Sequence, residues 1–144
     1  MKKFILGISS AIAIVSSSSA LAQPSFPIDY IGTLALDKGG PTLYCDFEVS
    51  FLNATQVEIT RLTNTYPCNT FTVNSNPHSY SFDPVNNDLE VYGLNVTTTL
   101  TEGDCEGTLL AKKYSTHIDA TTTLAGGGST ADCNIEGQLD RVYP

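Results

Sequence analysis

His78 and His117 are the two imidazoles of the chain, so general acid–base chemistry would have to start from them. The run His117-Ile118-Asp119 sets a histidine and an acid two positions apart, which on a β-strand puts both on one face. A Ser-His-acid hydrolase also needs a serine converging on that pair. No G-x-S-x-G segment supplies one, and the serines stand in ordinary polar runs. Both histidines are therefore read as surface residues. Thiol catalysis needs a free, activated cysteine, whereas Cys45, Cys68, Cys105 and Cys133 form an even set suited to disulfides. Four cysteines allow three pairings. Cys45–Cys68 with Cys105–Cys133 is the favoured one, because each bridge would join the two ends of a local segment. A zinc site is disfavoured, since there is no C-x-x-C and neither histidine adjoins a cysteine.

Paired carboxylates can cleave glycosides, and Asp46, Glu48, Glu58, Glu102, Asp104 and Glu106 are candidates by residue type alone. On strand faces and in turns they read as solvated charge. The oxygen-rich stretch from Asp83 to Glu90 lacks the glycine and register of a calcium loop and reads as a turn. Asn53-Ala54-Thr55 and Asn95-Val96-Thr97 are formal glycosylation sequons, expected by chance in a threonine-rich chain. Gly126-Gly127-Gly128-Ser129 is followed by neither lysine nor helix, so it is a flexible break and not a phosphate loop. No catalytic residue, metal or cofactor is assigned.

The elements that carry these residues are strands. No stretch has the i, i+3, i+4, i+7 apolar spacing of an amphipathic helix, while period-two alternation recurs. Phe26, Ile28, Tyr30, Gly32, Leu34 and Leu36 alternate up to a turn at Gly39-Gly40-Pro41. Leu43, Cys45, Phe47, Val49 and Phe51 alternate next, and Asn53-Ala54 turns the chain into Val57–Thr60 as a hairpin. Short strands follow at Phe71–Val73 and around Tyr80 and Phe82. The run Leu89–Leu100 is interrupted at Gly93, where a bulge would exchange the inward and outward faces. Thr108–Ala111, Ile118–Leu124 and Cys133–Leu139 complete the set. About eight short strands with turns between them predict an all-β domain, a single antiparallel sandwich or barrel with two disulfides.

The N-terminus supplies the compartment. Lys2 and Lys3, an apolar run from Phe4 to Val15, and Ala20-Leu21-Ala22 follow the order of a secretory signal peptide over residues 1–22. The apolar run is shorter than the roughly 20 residues that span a bilayer. Its short charged start has a bacterial look. Residues 23–144 then form one β domain, secreted or extracellular after periplasmic transit. That domain keeps Lys38, Arg61, Lys112, Lys113 and Arg141 against fifteen carboxylates, a charge balance that disfavours nucleic acid and anionic membrane as partners.

Around the cysteines, Thr42-Leu43-Tyr44-Cys45-Asp46-Phe47-Glu48-Val49, Cys105-Glu106-Gly107-Thr108-Leu109 and Cys133-Asn134-Ile135-Glu136-Gly137-Gln138-Leu139 resemble the bacterial alkane-oxidation protein activator family (PraA/PraB-like). Pro77-His78-Ser79-Tyr80 stands where that family has an aromatic segment, and the chain has no tryptophan. The resemblance implies a secreted, non-enzymatic protein linked to hydrocarbon growth, the cell surface and biofilm, with an apolar substrate or surface as partner. It implies only structural roles for the cysteines. An alternative starts from the first strand. Phe26, Ile28, Tyr30, Gly32, Leu34 and Leu36 form a candidate donor strand that could complete a neighbour's sheet and build an extracellular filament from copies of the chain itself.

Overall fold

The structure is a computed structural model, and it describes residues 25–128 and 130–143. The segment read as a signal peptide lies outside the described residues. Nine strands run in chain order: β1 Ile28–Asp37, β2 Leu43–Phe51, β3 Gln56–Arg61, β4 Phe71–Asn74, β5 His78–Asp83, β6 Asp88–Thr98, β7 Asp104–Lys113, β8 His117–Gly126 and β9 Cys133–Arg141. Each is antiparallel to its neighbours. β4 and β5 pair with successive halves of β6 and act as one interrupted stave. The result is a closed eight-stave, up-and-down barrel, shut by the β1–β9 ladder. Of the two architectures that the alternation allowed, the chain adopts the barrel, which leaves no long free edge.

Alternation dictates the inside. Ile28, Tyr30, Leu34 and Leu36 of β1 point inward with Phe47, Val49 and Phe51 of β2 and Ile118, Ala120 and Leu124 of β8. Gly32 interrupts the inward row for a reason. A Cβ there would sit 2.2 Å from the Gln138 carbonyl oxygen, so glycine lets β1 and β9 approach where the sheet curls. In β6 the register against β7 slips by one residue between Val91 and Leu94, and Gly93 takes φ +66°. The inward set accordingly changes from Leu89 and Val91 to Leu94 and Val96, which is the face exchange expected of a bulge at Gly93.

The narrowest seam lies between β3 and β5, where only Gln56↔Ser79 and Val57↔His78 are paired. Side chains take over beyond it. Asn76 donates from Nδ2 to the Ile59 carbonyl at 2.7 Å and accepts the Ile59 N–H at 3.0 Å. The Arg61 guanidinium donates to the Phe71 carbonyl. Backbone groups that lost their ladder partners are thus satisfied by an amide and a guanidinium.

Both disulfides sit at one end of the barrel. Cys45–Cys68 and Cys105–Cys133 are bonded as favoured from the spacing, with Cα separations of 5.7 and 6.0 Å. The first ties β2 to a 3-10 turn at Cys68–Thr70. The second joins the starts of β7 and β9 across the end of β8.

His78 corrects a sequence expectation. Read as a surface residue, it is only 3% exposed, and its Nε2 has no hydrogen-bond partner among the described residues. It opens β5 in phase with the inward-leaning Tyr80 and Phe82 and lies beside the bulge at Tyr92 and Gly93. Burial lowers its pKa below the ordinary 6.5, partly opposed by the Tyr92 and Gly93 backbone. The imidazole therefore binds a proton less readily when folded than when unfolded. Its contribution to stability is complete above pH 6.5 and is lost as the pH falls from there through the lowered folded value. Chemical denaturation between pH 8 and pH 4.5 should show this fall, and His78→Phe should flatten it while keeping or raising stability at pH 8.

Candidate functional site

Eight-stave barrels have interiors that side chains just fill or that hold one small ligand. Here part of the interior is filled and part is open. The middle is packed by Leu34, Phe47, Val49, Val91, Leu94, Ile118 and Leu139, with a residual space of about 30 Å³ and an entirely apolar lining. At the disulfide end the packing opens into a cavity of about 280 Å³.

This cavity is assembled from chain segments that are distant in sequence. Leu36 comes from the end of β1, Leu43 from the start of β2, Phe71 from β4, Val96 from the end of β6 and Ile135 from the start of β9. Leu36, Phe71, Val96 and Ile135 also line the packed interior, so the cavity floor is the top of the core. Gly40, Pro41, Tyr66, Leu100 and Thr101 form the mouth. Tyr66 is 72% exposed and Leu100 43%, an apolar lip open to solvent. The polar groups stand at the rim and are largely engaged. Asp37 accepts the Gly39 N–H, Lys38 donates to Thr130 Oγ1 and the Ala131 carbonyl, and Thr98 Oγ1 lies 3.3 Å from Thr70 Oγ1.

The disulfides frame this opening. Cys133 lines it directly. Cys68 anchors the segment that carries Tyr66 and leads into Phe71; ahead of β4 that segment is otherwise held by scattered bonds such as Leu62 N–H to the Asp46 carbonyl and Asp46 N–H to Thr63 Oγ1. The engineered apolar cavity that binds benzene measures about 150 Å³. The space here is nearly twice that, enough for a chain or ring system of about ten carbons.

The other candidate residues lie elsewhere. His117 and Asp119 do share a face, with Nε2 3.4 Å from the carboxylate, on the outer side of β8. The hydroxyl beside His117 is that of its neighbour Thr116, 2.8 Å from Nδ1, and the ring stacks on Tyr114 at 4.8 Å between centroids. Asp104 and Glu106 come together on the outer surface, where both accept from Asn95 Nδ2 at 2.8 Å. That hydrogen bond, before all else, lowers the Asp104 pKa. Asp83 accepts the Val85 N–H and the Asn86 side chain, closing the turn before β6, and these bonds lower its pKa. Asp88 pairs with Lys112. Among the described residues no three His, Cys, Asp or Glu side chains converge as metal ligands.

The candidate donor strand is placed within its own barrel. Ile28 through Leu36 pair with β2, and Tyr30 through Asp37 pair with β9. Tyr30, Leu34 and Leu36 are core residues, Gly32 sits at the close approach to β9, and Phe26, just before the strand, is 38% exposed. Donating this strand to a neighbour would require opening two ladders of the same molecule. Compared with known proteins, the chain matches no protein-family model, no curated protein and no solved structure.

Proposed function

We propose that the protein is a secreted, non-enzymatic accessory protein that captures a small apolar molecule, such as an aliphatic chain of about ten carbons, in the mouth of its barrel. The observation that carries this reading is the cavity of about 280 Å³, walled by Leu36, Leu43, Phe71, Val96, Leu100 and Ile135. An apolar pocket with polar groups confined to its rim suits a ligand whose body is hydrocarbon. The two disulfides agree with an oxidising compartment. Both disulfides brace the same end of the barrel, which fits a preformed site. The reading is also compatible with the hydrocarbon-linked role implied by the cysteine neighbourhoods.

Binding energy sets the scale. About ten carbon atoms at about 0.6 kcal/mol each give about −6 kcal/mol, or a Kd of about 10–100 µM. Displacement of a naphthalene dye by decane and decan-1-ol measures this directly. The expected result is one saturable site per molecule with an affinity in that range, stronger for ten carbons than for five. Absence of saturable displacement by either probe contradicts the proposal.

A further inference from the structure

The opposite end of the barrel carries a different chemistry. Lys113 and Arg141 end the inward rows of β7 and β9, after Leu109 and Ala111 on one and Ile135 and Leu139 on the other. The Lys113 Nζ lies 4.6 Å from the Phe82 ring centroid, 5.2 Å from that of Phe51 and 5.8 Å from that of Tyr30. Arg141 lies opposite Tyr30 in the β1–β9 register, and its guanidinium carbon is 5.2 Å from the Tyr143 ring. Its Nε is buried without a hydrogen-bond partner among the described residues.

Among the described residues neither cation is paired with an acid. The ion pairs among the described residues are Lys112–Asp88 and His117–Asp119. The carboxylates nearest in the strands are used elsewhere: Asp29 accepts from the Ser50 hydroxyl and Asp140 from the Gln138 amide. This is unusual in a chain where fifteen carboxylates outnumber seven Lys and Arg. Two cations turned toward the same barrel end repel each other. Desolvation, with the nearby Arg141 charge second, lowers the Lys113 pKa. The aromatic faces compensate the ammonium in part, but no ring at this end is shown accepting the Arg141 Nε–H. The Tyr30 hydroxyl donates to the Tyr114 carbonyl at 3.1 Å and takes no hydrogen bond from the Arg141 Nε–H.

We propose that this end of the barrel is a binding site for a small oxyanion, a carboxylate, sulfate or phosphate group held between Lys113 and Arg141. The Nε–H and one Nη–H of arginine form the edge that takes two oxygens side by side; that Nε–H is unpartnered and buried among the described residues, so an oxyanion engages it as the guanidinium turns outward. Lys113, two strands away at the same end of the barrel, adds a point charge. Tyr30, Phe51 and Phe82 supply a wall of low polarity that strengthens both contacts. The acidic remainder of the chain does not forbid this, because exposed charges beyond about 8 Å are screened at physiological ionic strength. The site is separate from the apolar cavity, which opens at the other end.

The test uses the whole protein titrated with sodium sulfate, phosphate and benzoate against sodium chloride at constant ionic strength. The readouts are the unfolding temperature in every protein and, in those that keep Arg141, its Nε–H resonance. At least one oxyanion should shift both saturably at one site per molecule, and chloride should not. Benzoate alone would identify a carboxylate, and sulfate with phosphate a tetrahedral anion. Lys113→Met and Arg141→Met should each weaken the response at least tenfold, and Arg141→Lys should weaken benzoate most by removing the two-pronged edge. Should the methionine variants fold poorly, Lys113→Arg keeps the charge and should retain binding within a few-fold. No saturable shift with any of the three oxyanions, or equal shifts in the parent and the Arg141→Lys protein, overturns the proposal.

Discussion

Replacing Cys45 and Cys68 together by alanine should lower the stability of the barrel by about 3.5 kcal/mol and weaken capture of the proposed apolar ligand at least tenfold. The stability loss follows from the 23-residue separation of the bridged positions, because opening a loop of that length returns its entropy to the unfolded chain. The Cys105–Cys133 bridge spans 28 residues, and its removal should cost about the same. What separates the two is the wall each one holds. Cys68 anchors the stretch from Leu62 to Thr70, which makes no strand ladder of its own. Without the bridge Tyr66 is free to move apart from Leu43, while Phe71 keeps its pairing with Thr98. Hydrogen exchange at residues 62–70 should then rise well above that of β8 and β9, while Cys105→Ala with Cys133→Ala should loosen the starts of β7 and β9 instead. Denaturant unfolding of each pair, set beside dye displacement, checks the expectation. Equal binding in the Cys45→Ala/Cys68→Ala protein and its parent would remove the link between bridge and site.

Filling the cavity should abolish binding without harming the fold. Leu43 lines the space and packs only partly against the core, so Leu43→Trp can place its ring in existing volume instead of displacing neighbours. The expected cost in stability is below about 1 kcal/mol, since the added apolar surface is buried and the site need not expand. The expected loss of affinity is at least tenfold, or about 1.4 kcal/mol. The native chain has no tryptophan, so the new indole reports its own surroundings. Its emission should be blue-shifted in the free protein and insensitive to decan-1-ol. Leu100→Trp, at the exposed lip, should bind nearly as the parent does and change emission on binding.

Much of the fold was legible because it rests on period-two alternation. The rows of β1, β2 and β9 read directly as inside and outside, and Gly93 announced the bulge that exchanges faces in β6. Spacing favoured the observed disulfides because each closes a short local segment. Closure into a barrel was not legible. It depends on the ladder between Tyr30–Asp37 and Asn134–Arg141, a long-range register that no local pattern encodes. The cavity was hidden for a related reason. Its walls come from residues as far apart as Leu36, Phe71, Val96 and Ile135, each an ordinary core residue in its own strand. His78 was misjudged by residue type, and the alternation also places the aliphatic stem of Lys113 inward. The alternation His78, Tyr80, Phe82 and the alternation Leu109, Ala111, Lys113 both point inward. Period was the better guide there than polarity.

The most direct measurement of the central claim is a set of intermolecular nuclear Overhauser effects between decan-1-ol and the methyl-labelled protein at saturation. The account predicts contacts from the alkyl chain to the methyl groups of Leu36, Leu43, Val96, Leu100 and Ile135, all of which line the cavity. It predicts none to Val85 or Val142, which are exposed elsewhere. Contacts spread over those exposed residues, or none at the cavity methyls, would contradict it.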